Sequence, residues 1–510
     1  MKMISPEDLS LKNILEKLNS LSSKQKIIVL LLIWMIIFVP LTVDHSYMQR
    51  DEHYHFYPVK RGPEDYDPPD WDVRTRPLSM EEQTDRGWFL LNATAGDEIG
   101  FEWIWKKSPE KSSHIGAVDI LYEENGSSEL KTIRLRKEHE NSTEEVWGKN
   151  VTFDEDKGIR YYFRVGRTDI PTFERRASLI LEGENPYEEA RTGPPPLIHF
   201  LFIPPTVLSA PVALGGAFLS FNIYFSLFVL LSAFLLFFSL REFDESKAFL
   251  SSMIFILNPI TVFTVHQDEP IIVFLMILPL FLILRGKKYL SSAAVGLGTV
   301  AKVWTAFWIP IFFLYEGLRE IKTLLTMILS GLSIFLLFVF MWGEKVLWFL
   351  TFYGGTAGKK NLGGISIWNL GLKLFKVNAE VLPTSMILLG ILLAELLIWW
   401  LAWKRNWRPV SALVSFIIIF LAFYPKIHWE YVLLVLPFLS ILATEEQRYL
   451  ILFYIITALS SITMLLLRSD SVPVILAFFA SLLLAASFIY VLVSIYKEGG
   501  NISDIDFKDR

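Results

Sequence analysis

Two kinds of pattern divide the chain. From residue 217 onward, apolar runs of roughly bilayer length follow one another with short polar breaks, and one further run stands at 27–43. A helix rises about 1.5 Å per residue, so about 20 apolar residues are needed to cross a bilayer core of about 30 Å. The runs predict helices at 27–43, 217–240, 248–265, 270–285, 289–303, 304–318, 323–342, 384–403, 409–424, 430–443, 448–467 and 472–496. That makes about twelve crossings, several short enough to be tilted or re-entrant. Residues 197–216 are apolar but broken by Pro204, Pro205 and Pro211, which predicts a helix lying at, or dipping into, a membrane surface.

Residues 44–196 read differently: polar, charged and rich in Gly, Pro and Asn. Short alternating segments at 87–91, 99–105, 117–121, 131–135, 160–165 and 177–181, separated by turn residues, predict a small antiparallel β-sandwich. Its tryptophans (Trp88, Trp103, Trp105 and Trp147) suit a core. The expected fold is a polytopic α-helical membrane protein with an inserted extracytoplasmic sandwich. Its parts are a cytoplasmic lead (1–26), a first helix (27–43), an outer loop (44–84), the sandwich (85–184), a multi-helix membrane domain (185–496) and a cytoplasmic tail (497–510). A second outer segment, 344–383, carries Gly354-Gly355, Lys359-Lys360 and Gly363-Gly364, and a loop of that length in a compact domain is more often functional than not.

Composition supports this division. Of 510 residues, 52% are hydrophobic and 15% aromatic, which places the chain among multi-pass membrane proteins. A net charge of −5 gives no sign of a nucleic-acid partner, and the absence of cysteine excludes disulfides, thiolate nucleophiles and cysteine metal sites. Lys12, Lys17, Lys24 and Lys26 precede the first run without a small-residue cleavage site after it, so the first helix is read as retained. Basic loops at Arg285 to Lys288, Arg319 to Lys322 and Lys404 to Arg408 fall on one side, cytoplasmic by the positive-inside rule. Both termini are then inside, and the sandwich is outside a plasma membrane. Sequons at Asn92, Asn125, Asn141 and Asn150 agree with an exported domain.

This topology gathers the reactive groups on the outer face. Asp51-Glu52-His53-Tyr54 follows the first helix, His266-Gln267-Asp268-Glu269 precedes a later one, and Lys426-Ile427-His428-Trp429-Glu430-Tyr431 lies between two others. All 8 histidines fall in predicted outer regions. Each cluster has a plain alternative: carboxylates at a helix end meeting water, Glu269 capping the next helix, and Lys426 and His428 marking the interface. Lys302 follows an apolar half-helix, and a lysine at that depth calls for snorkelling or an anionic partner.

These motifs resemble those of the C-type superfamily of membrane glycosyltransferases, which use polyprenyl- or dolichyl-phosphate-linked sugars. Asp51-Glu52-His53-Tyr54 is similar to the Asp-Glu motif that follows the first helix in protein O-mannosyltransferases and their relatives. Asn185-Pro186-Tyr187 followed by Pro194-Pro195-Pro196-Leu197-Ile198 resembles their "PY…PPL" stretch. Asn258-Pro259, Gln267-Asp268, Gly296, Gly298, Lys302 and Pro310 resemble their "NP…GQxD…GxxxGxAxxxKxxP" pattern. In this chain a whole domain separates the first two motifs, which those relatives keep close. Trp304 and Thr305 stand where a proline often follows the lysine.

The resemblance implies transfer of a hexose, mannose-like, from a polyprenyl-phosphate donor to an acceptor hydroxyl with inversion. Asp51 is expected as general base, with Glu52 orienting it. His53, His266, Asp268, Glu269, Trp429 and Tyr431 are expected at the sugar or acceptor, and Lys302, Lys426 and His428 at the lipid phosphate. A divalent metal on Asp51, Glu52 and Asp268 is a candidate cofactor, although no spacing is diagnostic of one. Glycan, glycolipid and protein acceptors all stay open. A transporter or flippase would carry repeat symmetry and ionisable residues near the bilayer midplane, neither of which is evident. A receptor built around the sandwich would leave the membrane motifs unexplained.

Overall fold

The structure, a computed structural model, describes residues 11–44, 46, 54–57, 71–76, 82–83, 89–96, 98–106, 117–124, 131–140, 144–166, 169–187, 194–209, 216–347, 363–377, 382–468, 473–503 and 505. The chain forms two compact units. One comprises Met1–Thr42, Gly193–Ile198 and Asn222–Arg510, and the other comprises Val43–Thr192 and His199–Phe221.

The second unit is built on two antiparallel sheets. Strands β1 (Tyr54–Tyr57), β2 (Trp71–Arg76), β3 (Glu82–Gln83), β4 (Phe89–Ala93) and β5 (Glu98–Lys106) are followed by β6 (Ala117–Glu124), β7 (Lys131–Arg134), β8 (Arg136–Glu140), β9 (Glu144–Thr152) and β10 (Lys157–Gly166). The larger sheet runs β3-β4-β10-β6-β7, with β1 pairing the far end of β10 beside β4; the smaller runs β2-β5-β9-β8. Period-two alternation explains both. Along β5, Ile99, Phe101 and Trp103 are buried, and along β10 Ile159, Tyr161, Phe163 and Val165 are buried. These side chains meet in one core, where Phe101 stands edge-on to Tyr161 at 5.3 Å and Trp103 lies 5.4 Å from Phe163. At the surface, Lys131 and Lys157 donate to Glu124 at 2.8 and 3.2 Å. The hydrogen bond from Lys131 leads in holding that carboxyl below its ordinary pKa.

Three expectations change here. The segment 177–181 is not a strand but the end of a helix, Asp169–Leu181. Its buried residues Ile170, Phe173 and Ala177 recur at helical spacing, and the apolar tail alone cannot distinguish period two from 3.6. The sheets also recruit β1, β2 and β3 from the segment expected to be outer loop, and β8 and β9 were not foreseen. The surface helix at 197–216 is two short helices, Leu197–Leu201 and Ile203–Val207, split where Pro204 and Pro205 enter the second one's first turn.

Among the described residues, 6 helices are long and apolar enough to cross a membrane: Ser23–Asp44, Gly216–Leu240, Ile321–Leu347, Thr384–Arg405, Gln447–Leu467 and Val474–Lys497. Shorter apolar helices among the described residues include Glu269–Leu284, Val303–Leu314, Pro409–Phe423 and Leu436–Glu445. The span expected at 248–265 is broken into Glu245–Ile256 and Pro259–Phe263. Asn258 causes the break. Its side chain accepts from the Ile260 amide at 2.9 Å, Pro259 follows at the first helical position, and its amide donates to Thr457 Oγ1 at 2.7 Å.

Candidate functional site

A helical hairpin assembles a buried polar cluster in the first unit. Helix Glu269–Leu284 ends in a Schellman turn: Gly286 takes φ +68°, its amide reaches Ile283 O, and the Lys287 amide reaches Leu282 O, both at 2.8 Å. Helix Lys288–Ala301 then packs back against it. The start of the first helix and the end of the second therefore lie side by side. Asp268 is the N-cap of the first, and Lys302 is the residue at which the second stops. Lys302 takes extended dihedrals (φ −157°, ψ 135°), and the chain continues as a 3-10 turn, Val303–Trp308. Gly298 permits the turn, since a Cβ there would come within 2.7 Å of Thr305. Trp308 fastens the turn to the first helix by donating from Nε1 to Met276 O at 2.8 Å.

At this junction Lys302 Nζ donates to Asp268 Oδ1 at 2.7 Å and to Glu269 Oε1 at 2.8 Å. All three are buried, exposed by 6% or less. Buried charges persist only when paired and hydrogen-bonded, and two carboxylates around one ammonium leave the group net negative when ionised. The second oxygen of Glu269, Oε2, is buried with no hydrogen-bond partner among the described residues. Lys302 Nζ also lies 5.9 Å from the Tyr431 ring. Trp304 stands 5.2 Å from Tyr431 and 4.9 Å from Phe420, which builds an aromatic wall beside the charges.

Tyr431 links this group to the segment after helix Pro409–Phe423. Its ring meets His428 edge-on at 5.4 Å, and His428 Nδ1 is 3.8 Å from Glu430. Two short strands hold the segment: β11 (Gly363–Gly364) runs parallel to β12 (Lys426–Ile427). Gly364 adopts φ +63°, and a Cβ on it would collide with the Ile427 carbonyl, so only glycine fits. Ser366 Oγ donates to Pro425 O at 2.5 Å and closes the arrangement. Gly363-Gly364 thus joins the cluster through its pairing with Lys426–Ile427.

The sequence candidates divide as follows. Asp268, Glu269, Lys302, Tyr431 and His428 form one connected chain of contacts, with Lys426 and Trp429 on the same short segment. His266 is half-buried in the turn before Asp268. Asp51, Glu52 and His53 lie outside the described residues. Glu269 does not cap the helix; Asp268 occupies the cap without a side-chain hydrogen bond, because its carboxylate is turned to Lys302. Lys302, expected at a lipid phosphate, has its ammonium engaged by those two carboxylates. Trp304 and Glu430 belong to the cluster and were not among the candidates. Trp304 was legible only as the residue replacing an expected proline.

In the other unit, Asn185 Oδ1 accepts from the Tyr187 amide at 2.9 Å, and the Tyr187 ring lies edge-on to the buried His199 at 5.5 Å. This gives the Pro-Tyr motif a packing role.

Among the described residues no three His, Asp or Glu side chains converge as a metal site, and Asp268 spends Oδ1 on Lys302. Two of the three metal candidates, Asp51 and Glu52, lie outside the described residues.

The resemblance to the C-type superfamily of membrane glycosyltransferases drawn from the motifs is supported by a family model that matches part of the chain. Residues 195–437, which contain every element of the cluster, match GT87, Glycosyltransferase family 87. The chain is also similar to the crystal structure of ArnT from Cupriavidus metallidurans bound to undecaprenyl phosphate. The identity is 14% and the TM-score 0.37, over 64% of this chain and 72% of that one. No curated protein matches the chain.

Proposed function

We propose that the protein transfers a hexose, mannose-like, from a polyprenyl- or dolichyl-phosphate donor to an acceptor hydroxyl on the extracytoplasmic face, with inversion. The observation that carries this reading is the convergence of Asp268, Glu269, Lys302, Tyr431 and His428 inside the region that matches the glycosyltransferase family. Displacement at an anomeric carbon needs a base for the incoming hydroxyl and positive charge for the departing phosphate. Asp51 serves as the base and Glu52 orients it, as the motif resemblance implies. With Lys302 engaged by carboxylates, the leaving phosphate falls to Lys426 and His428. Tyr431 and Trp429 supply ring faces for the sugar.

The shorter apolar helices complete about twelve crossings, with both termini cytoplasmic. The two-sheet unit is an extracytoplasmic insertion with a structural role or one in recognising the glycan, glycolipid or protein acceptor. The test uses purified full-length protein with labelled polyprenyl-phosphate mannose and a readout of sugar release or transfer. Consumption of the donor supports a transferase. Movement of intact lipid across vesicles without consumption supports a flippase and overturns the proposal. Asp51→Asn should retain folding and lose transfer, and near-wild-type turnover in that variant removes Asp51 as the base.

A further inference from the structure

We infer that Asp268, Glu269 and Lys302 form a hydroxyl-recognition subsite for the donor's sugar ring, in which Lys302 is an internal counterion and positioning residue and not a phosphate ligand. This rests on the reading of the protein as a lipid-phosphate-sugar transferase. Three observations carry it.

The first is charge. The Lys302 ammonium already donates to two carboxylates, at 2.7 and 2.8 Å. A phosphate seeking that ammonium would come within a few ångströms of both anions, and their repulsion opposes what the ammonium offers. A neutral hydroxyl meets no such opposition.

The second is an unfilled acceptor. Glu269 is 2% exposed, and its Oε2 has no hydrogen-bond partner among the described residues, although Oε1 is fixed by Lys302. A buried carboxylate oxygen in that state favours a donor, and a sugar hydroxyl is one. The hydrogen bond from Lys302 to Oε1 fixes the orientation of the carboxyl, so that Oε2 is in place before the ligand arrives.

The third is the neighbouring surface. Tyr431 lies 5.9 Å from the ammonium and Trp304 packs 5.2 Å from Tyr431. An apolar ring face beside a carboxylate acceptor matches the two surfaces of a hexose, C–H on the face and hydroxyls on the rim.

The experiment measures binding to full-length protein in nanodiscs. The probes are undecaprenyl phosphate and its mannosyl, glucosyl and N-acetylglucosaminyl phosphodiesters. The gain in affinity from adding the sugar isolates the subsite from the phosphate. The variant is Asp268→Asn/Glu269→Gln/Lys302→Met, which removes all three charges together and leaves none buried alone; Glu269→Gln is tested singly. The triple variant should bind undecaprenyl phosphate as the wild type does and lose about tenfold or more of the sugar-dependent gain. Glu269→Gln should lose part of that gain.

A tenfold loss of undecaprenyl phosphate binding in the triple variant would make Lys302 a phosphate ligand and overturn the inference. An undiminished sugar gain, or no gain from any sugar in the wild type, overturns it as well. A wild type that binds none of the lipids, the unglycosylated phosphate included, instead overturns the transferase reading beneath it.

Discussion

Lys302 shows how one residue's role depends on its partners. In sequence it is a lysine after an apolar half-helix, equally open to snorkelling or to a phosphate. In the fold it closes a buried ionic group with Asp268 and Glu269. Removing one member of such a group leaves uncompensated charge in an apolar setting. Lys302→Ala should therefore destabilise the protein by about 3–5 kcal/mol. Thermal unfolding of the detergent-purified protein should show the drop, with the triply neutral variant recovering most of it. An unchanged melting temperature for Lys302→Ala would mean that the carboxylates are solvated or protonated and the group is not ionic. Asn258 is a second single-residue device, capping helix Pro259–Phe263 and holding Thr457 199 positions away. Asn258→Ala should cost about 1–2 kcal/mol, read in the same melting experiment; a smaller effect than Thr457→Ala would assign the cap no weight.

At the scale of elements, the site depends on how closely helices approach. Helix Ile321–Trp342 packs on Lys288–Ala301 through two glycines. A Cβ on Gly296 would strike the Met327 carbonyl, and one on Gly331 would stand 2.9 Å from Gly296 O. Small residues at such crossings let backbones touch in a membrane, where lipid tails compete for apolar contact. Gly296→Val should force the pair apart, cost about 1–3 kcal/mol and displace Lys302 at the end of the same helix. Gly390, in helix Thr384–Arg405, has open space around its Cβ position, so Gly390→Ala should leave melting unchanged or raise it slightly. Equal effects at the two positions would refute the close-packing argument. The sequence pattern marks Gly296 by its spacing to Gly298 and Lys302, but its facing glycine is 35 residues away, and no local periodicity reveals that pairing.

For the whole molecule, two units imply separable cores. Trp103 is fully buried between the two sheets, in contact with Phe163. Trp103→Ala should cost that unit about 3–5 kcal/mol. Limited proteolysis of the full-length protein should then cleave within 54–192 while fragments from 216–347 stay protected; equal loss of protection in both would show a single cooperative fold. The sequence by itself determined the membrane character, the polar β-rich insertion, five of its ten described strands and the superfamily resemblance. Those follow from local physics: apolar runs of bilayer length, period-two alternation, and Asn-Pro or Gly at caps and turns. It misread 177–181, where Ala177, Leu179, Ile180 and Leu181 fit two periods, and ran one span through the cap at Asn258. Only the tertiary structure decided that Lys302 faces Asp268 and Glu269 across a hairpin, that Gly364 admits the Lys426–Ile427 strand, and that Trp304 joins Tyr431. Each is a contact between residues more than 30 positions apart, set by helix lengths, turn geometry and steric fit that no residue carries alone.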